Sequence, residues 1–143
     1  MIDEENSSIT FIDYEFASHN HIAYDLAYHF CEMEADYHSD NPHVIHYSKY
    51  PGLEERQRFI YIYLSSDGKK PSNIEVEQLV NVAEKYTLAC HLFYGLWGLL
   101  WNAIRTADFD CKEYARQRLE QYWSKKITLL DSSSIISQNG ICQ

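Results

Sequence analysis

Asp13 and Glu15 stand two residues apart, directly after the β-branched and aromatic run Ser8-Ile9-Thr10-Phe11-Ile12. In an extended segment residues i and i+2 point to one side, so Asp13-Tyr14-Glu15 presents a carboxylate pair. At the end of a strand such a pair can hold Mg²⁺, which takes oxygen ligands, against phosphate oxygens. Rings are the other resource. Twelve Tyr and three Trp are more than core filling requires, so some should line a surface cavity. Tyr94 and Trp97, three apart, share one face if their segment is helical. His19-x-His21 and His43-x-x-His46 have no acidic or cysteine partners at zinc-ligand spacing, so no zinc site is expected. No GxGxxG, P-loop or nucleophile elbow occurs, and Gly52, Gly68, Gly95, Gly98 and Gly140 are isolated, so nothing is expected to cradle a nucleotide.

The elements that must position these groups follow from periodicity. The run ending at Ile12 reads as a strand. After the polar turn Ser18-His19-Asn20, apolar residues recur at Ala23, Leu26, Ala27, Phe30 and Met33, one face of a helix with Glu32 near its edge. Asn-Pro and Tyr-Pro steps make residues 38–51 an extended loop, a lid or a connection. A short, half-buried helix follows Gly52, using Leu53, Phe59, Ile60, Tyr63 and Leu64, and stops at Ser65-Ser66-Asp67-Gly68. Ser72-Asn73-Ile74-Glu75 has capping-box spacing and should open a long helix reaching about Arg105. Its second half, from Leu92 to Trp101, is apolar on almost every face and should be covered by other elements. Gly95 and Gly98 there permit close approach of a backbone or ligand, each costing about 1 kcal/mol of helix propensity relative to Ala. Asp110-Cys111-Lys112-Glu113 opens a final helix to about Ile127. The reading divides the chain into a domain portion, residues 1–130, and a flexible polar tail, residues 131–143.

Composition narrows the partners. With 143 residues and 45% hydrophobic content the chain can build one core, while a formal net charge of -9 opposes nucleic-acid backbones and anionic lipid surfaces. Cys31, Cys90, Cys111 and Cys142 form no CxxC pair, and the acidic start Met1-Ile2-Asp3-Glu4-Glu5 is no signal peptide, so a reducing cytoplasmic compartment is expected. The most apolar stretch, Leu88 to Ile104, contains His91 and Asn102 and falls short of the roughly 20 residues that span a bilayer. It reads as a buried helix and not as a transmembrane segment.

The longer string Phe11-Ile12-Asp13-Tyr14-Glu15-Phe16-Ala17-Ser18-His19-Asn20, then Tyr24-Asp25-Leu26-Ala27-Tyr28-His29-Phe30-Cys31-Glu32, is far more specific than any of its parts. It resembles the choline/ethanolamine kinase signature, an I-D-[FY]-E-[YF] segment, an Asn five residues after that Glu, then F-D-[IL]-x-N-H-F-x-E. Tyr50-Pro51, Tyr86-Thr87-Leu88-Ala89-Cys90-His91-Leu92, Gly95-Leu96-Trp97 and Tyr114-Ala115-Arg116-Gln117-Arg118 extend the likeness from about Ile9 to Lys126, nearest to plant-type choline kinases. The resemblance implies a mainly α fold, the C-terminal lobe portion of a protein-kinase-like (choline kinase or aminoglycoside phosphotransferase-like) domain with a residual short β element at its N-terminus. It implies that Asp13, the counterpart of the protein-kinase DFG aspartate, coordinates Mg²⁺ bridging ATP phosphates, with Glu15 supporting the same site. The substrate implied is choline or ethanolamine. A quaternary ammonium offers no N–H donor, so it must be held by aromatic faces and a nearby carboxylate. By residue-wise carry-over that cage is Phe16, Glu32, Tyr37, Tyr94, Trp97, Phe109 and Tyr114. The chain departs from the family pattern at Phe16 (usually Tyr), Tyr94 (usually Trp), Cys111 (often Tyr in animal members) and Tyr28 (usually Asn). The first three soften the cage, and the last alters the signature helix.

A kinase of this kind also needs a nucleotide-covering lobe, a phosphate-contacting Lys and an H-x-D-x-x-x-x-N catalytic loop upstream of the metal aspartate, and none precedes Ile9. The full-length activity implied is ATP-dependent phosphorylation of choline, the first step toward phosphatidylcholine, with this chain expected to be inactive alone. The alternatives are ethanolamine as substrate, or a noncatalytic amine-binding or homodimer-forming remnant.

Overall fold

Each element forms where its local chemistry directs, and each then presents one face to the long helix at the centre of the chain. The structure is a computed structural model; it describes residues 2–3, 8–9 and 131–138 by backbone, and residues 10, 12, 17–104 and 108–130 in full. Strand β2 (Ser8–Ile9) pairs antiparallel with β1 (Ile2–Asp3), Ile2 opposite Ile9 and Asp3 opposite Ser8. The strand expected over Ser8 to Ile12 is present only at Ser8–Ile9, with Thr10 and Ile12 outside it, and its partner was not foreseen because a two-residue strand is too short to show alternation.

Helix α1 (Ile22–Glu32) starts where His21 Nδ1 accepts the Ala23 N–H at 3.1 Å, a histidine serving as cap and not as metal ligand. Ala23, Leu26, Ala27 and Phe30 are buried, as their spacing predicts. Met33 is not on that face: it lies at the C-cap, past the last helical turn, and is exposed. Residues 38–51 form a pinned connection. An isolated bridge joins Ala35 to Ile45, Tyr47–Lys49 is a 3-10 turn, and Ile45 N donates to Gln117 Oε1 at 2.8 Å. Helix α2 (Leu53–Leu64) buries only Ile60 fully, so it is more peripheral than its apolar count suggests.

Helix α3 (Asn73–Ile104) opens with the reciprocal cap read from Ser72 and Glu75: Ser72 N donates to Glu75 Oε2 at 2.8 Å, and Glu75 N donates to Ser72 Oγ at 3.3 Å. Its first half packs on α1 and α2 through Leu26, Phe30, Ile60, Val76 and Val80. Along its second half runs α4 (Cys111–Gln138), which continues past the expected end near Ile127. The two glycines explain that seam. A Cβ on Gly98 would lie 3.0 Å from Ala115 Cβ and 3.1 Å from the Cys111 carbonyl oxygen, and one on Gly95 2.7 Å from Leu119 Cγ. Only a residue without Cβ lets α3 and α4 come so close.

The rest of that half of α3 differs from expectation. Among the described residues nothing covers Leu96 or Leu100, which are 55% and 52% exposed. Periodicity marks a segment as apolar all round but does not say which chain covers each side.

Gly98→Val should destabilise the chain by about 1–3 kcal/mol despite the better helix propensity, because α4 must be pushed off. Gly52→Ala, where a Cβ meets nothing within 4 Å, should stay within about 0.5 kcal/mol. Urea unfolding of the two variants checks this, and a stabilised Gly98→Val would contradict the seam.

Candidate functional site

At the end of the α3–α4 seam, side chains of three segments enclose a cavity of about 310 Å³. Tyr94, Trp97 and Trp101, at positions i, i+3 and i+7 of α3, give one wall. Cys111 and Tyr114 of α4 give the facing wall, Gly98 the floor, and Tyr37 and Phe109 close the sides. Phe109 and Tyr114 meet edge to face at 5.4 Å, and Trp97 and Trp101 lie tilted at 5.2 Å. Such a cavity gathers rings from three segments, and an aromatic lining attracts a cation with no N–H to donate.

Behind this wall lies a buried guanidinium. Arg118, 1% exposed, donates Nη2 to Glu32 Oε1 at 2.8 Å, Nε to the Tyr114 hydroxyl at 3.1 Å and Nη1 to the Cys31 carbonyl at 3.4 Å. Its Cζ sits 5.1 Å from the Tyr114 ring centroid. Glu32 Oε2 in turn accepts the Tyr37 hydroxyl at 2.8 Å. One cation thus fixes Tyr114 directly and Tyr37 through Glu32, and it meets the Glu32 charge from behind the cavity. Burial alone would lower the Arg118 pKa, but Tyr114 and Glu32 outweigh it and hold it above its ordinary value. Burial keeps the Tyr37 and Tyr94 hydroxyls protonated by pushing both upward.

Two further buried groups adjoin Arg118. Glu34 Oε2 is 3.9 Å from Nη1, beyond hydrogen-bond reach and otherwise unpartnered, so burial wins and pushes the carboxyl up to about 7 against the pull of Lys125 and Arg118. His91 is fully buried, with Nδ1 unpartnered and Nε2 3.9 Å from Cys31 Sγ; burial first, then Lys125 and Arg118, push it down to about 3. It is a neutral core residue.

A second, larger cleft of about 610 Å³ shares the Tyr94 and Trp97 wall and is bordered by Ala17, Ser18, Asn20, Tyr24, Asp25 and Tyr28. Asp13, Glu15 and Phe16 lie outside the described residues, so the metal pair and one cage ring have no geometry here. Of the remaining expected site residues, Tyr37, Tyr94, Trp97, Phe109 and Tyr114 line one cavity, whereas Glu32 reaches it only through the Tyr37 hydroxyl. Among the described residues no group of three His, Cys, Asp or Glu side chains could hold a metal. His43 meets Phe109 edge to face at 6.1 Å.

Sequence reasoning missed Trp101 as a wall and Arg118 as the strut. A signal for the second existed. Cys111, Tyr114, Ala115 and Arg118 recur at helical spacing, and an arginine on a buried stripe requires a carboxylate partner from another element.

The helical lobe agrees with the comparisons. The family model for choline/ethanolamine kinase matches residues 1–123. The chain is 56% identical over 133 residues to "Probable choline kinase 2" of Arabidopsis thaliana, covering 93% of this chain and 38% of that protein. It is 36% identical over 127 residues to "Ethanolamine kinase 2" of Mus musculus, covering 88% and 31%. The crystal structure of choline kinase from Cryptosporidium parvum Iowa II superposes with a TM-score of 0.72 at 34% identity, over 85% of this chain and 34% of that one. The architecture is therefore the helical lobe of a kinase-like fold. The chain belongs to the choline/ethanolamine kinase family. It spans about a third of the length of these relatives, between 31% and 38%. No described helix is long and apolar enough to cross a membrane.

The buried acids and bases make stability depend on pH. Glu34 is protonated when folded up to about 7 but ionised when unfolded above its ordinary 4.5, so its contribution is full below 4.5 and lost as pH rises through 7. His91 acts in the opposite sense: its contribution is full above 6.5 and lost as pH falls toward 3. Because His91 offsets part of this in the parent, the test is the difference between proteins: from about pH 5 to pH 8 the stability of Glu34→Gln should rise relative to the parent by on the order of 2 kcal/mol. Unfolding curves of both proteins at both pH values check this, and a difference between them that does not change with pH would contradict it.

Proposed function

We propose that this chain is the amino-alcohol-binding part of a choline kinase, which transfers the γ-phosphoryl group of ATP to the choline hydroxyl. The observation that carries the reading is the convergence of Tyr37, Tyr94, Trp97, Phe109 and Tyr114 on one cavity beside a larger cleft. The trimethylammonium group is held by ring faces. Its hydroxyl, two carbons away, points toward the cleft that follows the Asp13-Tyr14-Glu15 segment. There its oxygen would bond to the γ-phosphorus as the bond from that phosphorus to the β–γ bridging oxygen breaks and ADP leaves, the hydroxyl proton passing to the base that the rest of the enzyme supplies.

Choline is favoured over ethanolamine by the electrostatics behind the cage. Glu32, the one carboxylate tied to the cavity among the described residues, already has its charge met by Arg118 and one oxygen taken by Tyr37. A primary ammonium needs hydrogen-bond acceptors that rings do not supply, whereas a quaternary one needs only faces. In this reading Asp13, supported by Glu15, holds Mg²⁺, which when bound neutralises charge on the transferring phosphates. Phe16 completes the cage, and the protein works in the cytoplasm. The 143 residues contain no H-x-D-x-x-x-x-N segment. With base and nucleotide-covering lobe supplied elsewhere, the chain transfers no phosphoryl group by itself.

The test is a chain rebuilt to the length of its relatives by fusing an upstream family segment before Ser8. Asp13→Ala should lower kcat severely with choline affinity almost unchanged, because the metal acts on phosphate and not on the ammonium. Trp97→Ala should instead raise KM for choline by about 5- to 30-fold, the loss of one cation–π face of about 1–2 kcal/mol. Unchanged turnover in the first variant or unchanged KM in the second would refute the assignment, as would phosphocholine formation by the 143-residue chain alone.

A further inference from the structure

Tyr28 does not line the small cavity, yet one face of Tyr94 rests on it. The two rings stack at 4.8 Å with only 10° between their planes. On another side Tyr94 meets Phe93 edge to face at 5.1 Å, and Phe93 stacks on Trp97 at 6.2 Å. Tyr94 is thus held in a row of rings whose outer support belongs to a different helix. Tyr94 and Trp97 also form the partition between the small cavity and the larger cleft, and Tyr28 borders that cleft.

A tyrosine at position 94 is smaller than the tryptophan usual in the family. Left unsupported, its ring could rotate away from the cavity and present an edge, where the ring quadrupole is positive and repels a cation. An asparagine at position 28, the usual family residue, has no face to prevent this. The tyrosine found there does.

We infer that Tyr28 is a positioning residue for the ammonium cage: by stacking on Tyr94 it keeps the negative ring face turned toward the cation and fixes the partition between cavity and cleft. The inference rests on the cage reading above. The Tyr28 and Tyr94 hydroxyls are also hydrogen-bonded to each other, so the ring of Tyr28 should supply the larger effect and its hydroxyl a smaller one, and the whole effect should pass through Tyr94.

The experiment titrates tetramethylammonium, which fills the cage with no hydroxyl to engage the cleft, into the 143-residue chain and follows tryptophan fluorescence, with methylammonium as the primary-amine control. Tyr28→Phe should bind tetramethylammonium within about twofold of the parent chain, and Tyr28→Asn about tenfold more weakly, a cation–π contact being worth about 0.5–2 kcal/mol. Methylammonium should bind parent and variants alike far more weakly than tetramethylammonium binds the parent, and each variant should keep the parent's urea-unfolding transition, which a general loss of structure would not reproduce. In a Tyr94→Ala background the step from Tyr28 to Asn should have no further effect, because the ring it supports is gone. Tyr28→Leu, which keeps apolar volume on α1, gives the same comparison if Tyr28→Asn does not fold. Parent-like binding by the Asn and Leu variants, or an equal loss in the Tyr94→Ala background, would overturn the role of Tyr28 while leaving the cage intact. No saturable binding by the parent chain would overturn the cage reading and this inference with it.

Discussion

The site depends on a guanidinium that has left water. Arg118 is enclosed by α1, α4 and the loop after α1, and an unpaired cation there would cost several kcal/mol. Glu32, the Tyr114 hydroxyl and the Cys31 carbonyl offset that cost only if the C-terminal end of α1 and the second turn of α4 are held in register. The same bonds fix two cage walls. Directional, charge-assisted hydrogen bonds do this better than apolar packing, which would allow the rings to slide.

That register is possible because of the glycines of α3. Gly98 lets α4 approach until Tyr114 faces Tyr94 and Trp97 across a cavity of about 310 Å³. A wider seam would separate the rings beyond useful cation–π distance, about 6 Å from the centroids. Burial of Glu34 and His91 around Arg118 follows from the same close packing. Burial holds His91 neutral at neutral pH and keeps the Glu34 carboxyl protonated on the acid side of about 7, which limits the number of charges the interior must balance.

Much of this was legible beforehand, for identifiable reasons. Capping chemistry is local, so Ser72-Asn73-Ile74-Glu75 and Asp110-Cys111-Lys112-Glu113 announced α3 and α4 correctly, and the Ala23-to-Phe30 period announced the buried face of α1. The cage rings were read from a family resemblance, and spacing alone could support only Tyr94 with Trp97. What local patterns do not encode is which distant segment meets which. The tie of Ile45 to Gln117 and the Arg118–Glu32 pair, 86 residues apart, fall in that class, whereas the local pairing of Ile2–Asp3 with Ser8–Ile9 escapes because two-residue strands show no alternation. The exposed Leu96 and Leu100 belong to that class too, since an apolar surface says nothing of what lies against it.

The central claim is that aromatic faces, backed by Arg118, hold the trimethylammonium group of choline. It is tested most directly by proton NMR of choline titrated with the chain, following the nine equivalent N-methyl protons. Protons above ring faces are shielded, so the account predicts a saturable upfield shift of that resonance, a smaller shift of the hydroxymethyl protons, and loss of both in Tyr114→Leu. An N-methyl resonance that does not move, or that moves equally with Tyr114→Leu, would contradict it.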